Sequence, residues 1–224
     1  MPVNQTESAA DKLAVTAAQI LRDSKAIIED DHFVYISGDH GSGWIDKDTI
    51  YPYTERISEL AKLLAEVVRN MKAEIVCGPT TGGLVLSQWL AYHLGVLSTF
   101  AEHDTESGAI HQNHLTPGRF ILRRNYDRLV AGKRVLVVDD IVNTGHSIKQ
   151  TVEAVKRAGG NVIGAAAICT RGNASGESQI GSDNFQYLLE YKIPAWPAAS
   201  CELCRTGVPV NIHYAHGLEF VQAV

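Results

Sequence analysis

An α/β fold, with a central parallel sheet flanked by helices, is predicted by three observations on this 224-residue chain. From residue 74 onward, short apolar runs alternate with segments of helical periodicity. The runs "EIVCG", "VLSTFA", "RVLVVDD" and "NVIGAAAICTR" are apolar throughout, the mark of strands buried on both faces of a sheet. The third observation is the balance of 45% hydrophobic and 20% charged residues, which suits one globular domain with a substantial core.

The elements follow in order. Residues 8–29 read as an amphipathic helix with Leu13, Ala17, Ile20 and Leu21 on one stripe. "HFVYISGDHGSGWIDK" predicts a strand, a glycine-rich turn and a second short strand. "TERISELAKLLAEVVRN" predicts a helix, because Ile57, Leu60, Ala61, Leu64 and Val68 recur at helical spacing, with Thr54 as its cap. "PTTGG" is a turn between the first sheet strand and the helix "LVLSQWLAYHL". The polar segment 102–118 has no periodicity, and a long loop inside a compact domain reads as a lid. "RFILRRNYDRLVAGK" is expected as short strands or a hairpin, and "SIKQTVEAVKRAGG" as a helix stopped by Gly159–Gly160. Beyond Gly172 the chain reads as packed irregular loops.

Composition also excludes. A net charge of −5 gives no global positive field, so neither nucleic acid nor an anionic membrane is expected as a partner. The window "GLVLSQWLAYHLGVLSTFA" is broken by Ser87, Gln88, His93 and Gly95 and does not read as a membrane span. "MPVNQTESAADK" lacks the basic and apolar regions of a secretory signal. Cys77 and Cys169 fall in apolar strands and read as buried thiols. Cys201 and Cys204 have the spacing of half a zinc ribbon or of a redox dithiol, and His213 and His216 could complete a Cys₂His₂ set. Their spacing is not that of a standard finger, so an ordinary reduced pair is expected and no metal ligand is assigned. Reduced cysteines without a signal imply the cytoplasm.

The chemistry lies at one rim. Ligands of a parallel sheet bind beyond the carboxyl ends of its strands, and three strands here run into unusual turns: "VCGPTTGG", "VVDDIVNTGHS" and "ICTRGN". In the second, a helix starts near His146, so the amides of Thr144, Gly145, His146 and Ser147 make an anion site. Asn143, Thr144 and Ser147 add side-chain donors. Asp139 and Asp140, just before this turn, repel phosphate but accept hydrogen bonds from hydroxyls on the same ligand. A phosphorylated sugar satisfies both halves. The plainer alternative is that Asp139 caps the turn and Ser147 the helix.

"VLVVDDIVNTGHS" resembles the phosphoribosyl pyrophosphate signature of type I phosphoribosyltransferases. The resemblance implies the fold of that family, with a central core at about 53–171 and a hood at about 1–52 plus 172–224. It implies that Asp139 and Asp140 hold the ribose hydroxyls and that Asn143, Thr144, Gly145, His146 and Ser147 cradle the 5′-phosphate. "CGPTTGG" is similar to the family's pyrophosphate loop, which implicates Thr80, Thr81 and Gly82. Within the family the chain is most similar to orotate phosphoribosyltransferases, whose base-side positions fall on Ser37, Lys47 and Arg171. The reaction so implied moves phosphoribose from its pyrophosphate to orotate, giving orotidine 5′-phosphate and pyrophosphate, with Mg²⁺ as cofactor in a homodimer. Another base, such as a purine, or a non-catalytic nucleotide sensor are the alternatives. The chain departs from the usual pattern at Ile36, at Thr170 and in the acidic stretch "AEHDTESG", near which His103, His111, His114, Arg119, Arg123 and Arg124 could substitute for basic lid residues.

Overall fold

A computed structural model describes residues 8–35, 37–104, 119–172 and 174–223. Helix α1 (Ala9–Asp23) opens on a capping box in which the Ser8 hydroxyl accepts from the Asp11 amide and the Asp11 carboxylate accepts from the Ser8 amide. It stops short of residue 29. Lys25 takes a left-handed φ of 56°, and the β-branched pair behind it forms β1 (Ile27–Ile28) instead of another helical turn. Next come β2 (Phe33–Val34), β3 (Asp39–Gly41) and β4 (Trp44–Ile45), which pairs antiparallel with β1. A 3₁₀ turn at Lys47–Thr49 leads to α2 (Thr54–Val68). Tyr53, not Thr54, sits at the cap and makes no side-chain cap bond, so Thr54 is the first helical residue.

The core elements are β5 (Ile75–Pro79), α3 (Gly82–Leu94), β6 (Leu97–His103), β7 (Phe120–Ile121), α4 (Tyr126–Val130), β8 (Arg134–Val142), α5 (His146–Arg157), β9 (Asn161–Thr170), α6 (Gly176–Ile180) and β10 (Phe185–Glu190). The sheet runs β10-β9-β8-β5-β6-β7, parallel throughout except for β7, which is antiparallel to β6. The expected fold class thus stands. Two stretches differ from their reading. Residues 126–130 coil into α4 where a hairpin was expected. The segment past Gly172 supplies β10, an edge strand with Leu188 and Leu189 buried and Tyr187 exposed. The remainder is β11 (Ala195–Pro197), α7 (Glu202–Arg205) and α8 (Gly217–Ala223). Strand β11 joins the β2–β3 hairpin in a second sheet of order β11-β3-β2, where the hood was expected.

Period-two alternation along β8 divides the core. Leu136 and Val138 pack with Leu60, Leu64, Leu86 and Leu90 of α2 and α3 on one face. Val135 and Val137 pack with Ile148, Val152 and Val155 of α5 on the other. From β5 the chain crosses through α3 to β6 on one side, whereas β8 lies on β5's other side and continues through α5 to β9. The order of connection therefore reverses between the parallel strands β5 and β8, the point at which a crevice opens beyond their carboxyl ends.

Candidate active site

The crevice is built from the turns after these two strands. Gly145 takes the cap position of α5 at φ 80° and brings no capping side chain. A Cβ there would lie 2.5 Å from the Gln179 carbonyl oxygen, so only glycine fits. The first amides of α5, with the helix dipole behind them, face a pocket of about 120 Å³ lined by Asp139, Asn143, Thr144, Gly145, His146 and Ser147. Every residue that the sequence assigned to the phosphate is brought together here, beside one of the two acids.

The acids themselves point apart. Asp139 lines the pocket with Ser147 and Ile148 of α5, whereas Asp140 meets Tyr51, Lys47 and Gly82 at the start of α3. Asp139, 8% exposed, accepts from the Asp140 amide at 3.0 Å and otherwise opens onto the pocket. Asp140, 3% exposed, accepts from the Ile141 amide at 2.6 Å and from the Tyr51 hydroxyl, and its Oδ2 lies 3.3 Å from Lys47 Nζ. Burial pushes Asp139 up to about 6, with Lys47 and the Asp140 amide opposing it. Burial raises Asp140 as well, against the same ammonium. Burial alone would lower Lys47, but Asp140 and Asp139 together outweigh it and hold the ammonium charged.

The turn after β5 rests on this pair. A cis peptide joins Thr80 to Thr81, and the Thr80 amide donates to the Ala101 carbonyl at 2.8 Å. Thr81 caps α3 without a side-chain bond, which leaves a second helix N-terminus facing the rim. A Cβ on Gly82 would collide with the Asp140 carboxylate and the Tyr51 hydroxyl, and one on Gly83 would lie 2.8 Å from the Val138 carbonyl oxygen. Two glycines therefore let the turn lie against the acidic strand.

Arg171 follows β9, with its amide bonded to the Val142 carbonyl at 3.0 Å. Its guanidinium stands 4.5 Å over the Tyr35 ring, and its Nε is buried without a hydrogen-bond partner among the described residues. The Tyr35 hydroxyl donates to the Gly43 carbonyl at 2.7 Å and so fixes that ring. Lys47 sits with the acid pair. Ser37 is exposed and donates to Asp39 within its own turn, and no described contact carries it to the acids. Sequence reasoning missed Tyr51 and Tyr35; Tyr51 lies 89 residues from the carboxylate it holds, and no local pattern signals the pairing.

Ile36, the greater part of the expected lid (105–118, with His111 and His114) and Asn173 lie outside the described residues. Residues 102 and 103, read as the start of the lid, instead extend β6 and pair with β7. The acids there are paired: Glu102 lies 2.5 Å from Arg124 and 3.4 Å from Arg123, which also reaches Asp104 at 3.3 Å.

Comparison with known proteins agrees with this geometry. Residues 46–192 match the model of the phosphoribosyl transferase domain. The orotate phosphoribosyltransferase of Caldanaerobacter subterraneus subsp. tengcongensis is 30% identical over 82% of this chain and 88% of its own length. That of Thermotoga maritima is 30% identical over 90% of this chain and 98% of its own. The crystal structure of the Aeropyrum pernix orotate phosphoribosyltransferase superposes with a TM-score of 0.59 at 24% identity, covering 77% of this chain and 92% of that one. With an acid pair, an uncapped helix N-terminus and a glycine turn meeting at the sheet's switch point, and with the domain match spanning most of the core, the chain belongs to the phosphoribosyltransferase family.

Proposed function

We propose that this protein is an orotate phosphoribosyltransferase, which transfers phosphoribose from phosphoribosyl pyrophosphate to a ring nitrogen of orotate. The observation that carries the reading is the joint opening of Asp139 and the α5 N-terminus onto one pocket, a carboxylate and an anion site lining the same space. The names of the relatives supply the base.

In this reading the amides of Thr144 to Ser147 bind the 5′-phosphate, with the Asn143, Thr144 and Ser147 side chains as further donors. Asp139 accepts from the ribose hydroxyls. Asp140, held by Tyr51 and Lys47, keeps a second negative charge beside the sugar and accepts from a hydroxyl with its remaining lone pairs. As the C1′–oxygen bond breaks, its electron pair leaves on pyrophosphate and positive charge develops on the ribose, where the two carboxylates favour it. The base nitrogen then forms the new bond to C1′. Thr80, Thr81 and Gly82 receive the departing pyrophosphate. Arg171, whose guanidinium stands over the Tyr35 ring, would meet the orotate carboxylate, and the family resemblance adds Ser37 and Lys47 on the base side.

The donor set fits Mg²⁺, since Asp139 offers a nearly unshared carboxylate among hydroxyl and amide oxygens, the hard ligands that this ion takes alongside substrate oxygens and water. A Mg²⁺ held by Asp139 together with the pyrophosphate would supply positive charge opposite the leaving group. The family resemblance further implies a homodimer, and the exposed Tyr92 and Leu97 provide apolar surface for one. No helix among the described residues is long and apolar enough to cross a membrane, which accords with a place in the cytoplasm.

The test mixes protein, phosphoribosyl pyrophosphate and Mg²⁺ with a panel of bases and follows pyrophosphate release. Orotate-dependent release is expected. Turnover with a purine alone reassigns the base, and tight sugar-phosphate binding without turnover makes the protein a sensor.

A further inference from the structure

Apart from the pocket at α5, four metal-ligating side chains from distant parts of the sequence converge on the second sheet. His32 and His40 come from the β2–β3 hairpin. Val34 faces His40 across the pair, and His32, two residues earlier on the same face, is His40's diagonal neighbour. Cys201 and Cys204 come from the start of α7. His32 Nε2 lies 2.8 Å from His40 Nδ1, 3.6 Å from Cys201 Sγ and 3.7 Å from Cys204 Sγ; Cys204 Sγ lies 3.3 Å from His40 Nδ1. All four donor atoms fall within 4.8 Å of one another. We propose that His32, His40, Cys201 and Cys204 form a tetrahedral zinc site that staples the hairpin to the C-terminal segment.

Ideal zinc–sulfur and zinc–nitrogen bonds of about 2.3 and 2.05 Å place sulfur and nitrogen about 3.6 Å apart on a tetrahedron's edge, and two nitrogens about 3.3 Å apart. Both sulfur–nitrogen separations to His32 already match at 3.6 and 3.7 Å. Cys204 Sγ to His40 Nδ1 must open by about 0.3 Å from 3.3 Å, and the imidazoles by about half an ångström from 2.8 Å. Tautomers are set for it. His32 Nδ1 lies 2.8 Å from the Val208 carbonyl oxygen, which can only accept, so that nitrogen carries the proton and Nε2 turns a lone pair into the cluster. His40 Nε2 is buried without a partner among the described residues, so the polar engagement of that ring shown there runs through Nδ1 into the same cluster. The Cys204 amide donates to Cys201 Sγ at 3.5 Å, which fixes that sulfur at the start of α7. A redox dithiol would employ the cysteines alone and leave the two buried imidazoles without a task; the thiols are free in the structure.

The site also answers a stability problem. Strands β2, β3 and β11 have only two, three and three residues, too short for a sheet to stand without help. A metal joining residues 169 positions apart supplies that help. Three of the four ligands are buried, and Cys204 is exposed, which gives the ion a way in.

The experiment uses the full chain, without a histidine tag, purified in the absence of chelators. Elemental analysis is expected to find one zinc per chain, and Co²⁺ in its place to give the intense visible bands of tetrahedral thiolate coordination. Chelation should lower the melting temperature by about 5 °C or more, and added Zn²⁺ should restore it. Cys204→Ser, at the exposed position, should lose most of the metal while the core stays folded. The double variant His213→Ala/His216→Ala should keep it. Protein that holds no stoichiometric zinc and gives no cobalt bands overturns the proposal. So does a Cys201–Cys204 disulfide in freshly isolated protein, or loss of metal with His213 and His216.

Discussion

Strand β8 carries two carboxylates of the same type, at the same depth, back to back. On the α5 face Asp139 has one backbone amide and an open pocket. On the α2/α3 face Asp140 has a tyrosine hydroxyl, an ammonium and a backbone amide. Burial raises both, so desolvation does not distinguish them. The supply of partners does. An acid left short of partners inside a protein costs stability, and the strand bears that cost only on the side where a ligand can supply the missing hydrogen bonds. The other side is finished by the protein and holds the geometry.

Asp139→Asn should break the comparison most severely. Two charge-assisted bonds to the sugar would be lost, each worth about 1.5–3 kcal/mol, so pyrophosphate release should fall on the order of 10²–10⁴-fold. The free protein should become more stable at neutral pH, by up to about 3 kcal/mol, because an uncharged amide escapes the penalty that lifts this acid to about 6. Calorimetry on the variant checks the sign; a lower melting temperature would mean that Asp139 is better partnered than described. Gly82→Ala attacks the opposite face. Its methyl group displaces Asp140 or Tyr51, and a loss of about 10–100-fold in turnover together with a lower melting temperature is expected.

Tyr51→Phe removes one bond to Asp140 and leaves Asp139 untouched. A loss of stability of about 1–3 kcal/mol is expected, with a smaller effect on turnover than Asp139→Asn. The mildest probe is pH. Asp139 must be ionised to accept from both hydroxyls, so affinity for phosphoribosyl pyrophosphate should decline as pH falls through about 6. Stability runs the other way. The folded acid binds its proton more tightly than the unfolded one, so this group's contribution is complete below about 3.8 and is lost as pH rises through about 6. Affinity and stability curves that fell together on acidification would contradict the assignment.

How much of this was legible depended on distance along the chain. The phosphate turn is one contiguous run, Asp139 to Ser147, whose chemistry is local, and all of it meets in the pocket. The sheet was legible because its strands are apolar from end to end. The partners waiting beside each acid were not legible, since Tyr51 and Lys47 arrive from a turn far upstream. The first helix was read too long because its apolar stripe continues into Ala26, Ile27 and Ile28, where only the left-handed Lys25 reveals the break. Cys201 and Cys204 suggested His213 and His216, their neighbours in sequence; the fold instead brings His32 and His40 from more than 160 positions away.

The order of that second sheet bears on how the molecule is made. Strand β3 lies between β2 and β11, and β11 leaves the ribosome long after the hairpin it must flank. Until it emerges, the outer edge of β3 has no strand beside it. Synthesis between Gly41 and Ala195 is thus the interval in which strand exchange between neighbouring polysomal chains competes with correct closure.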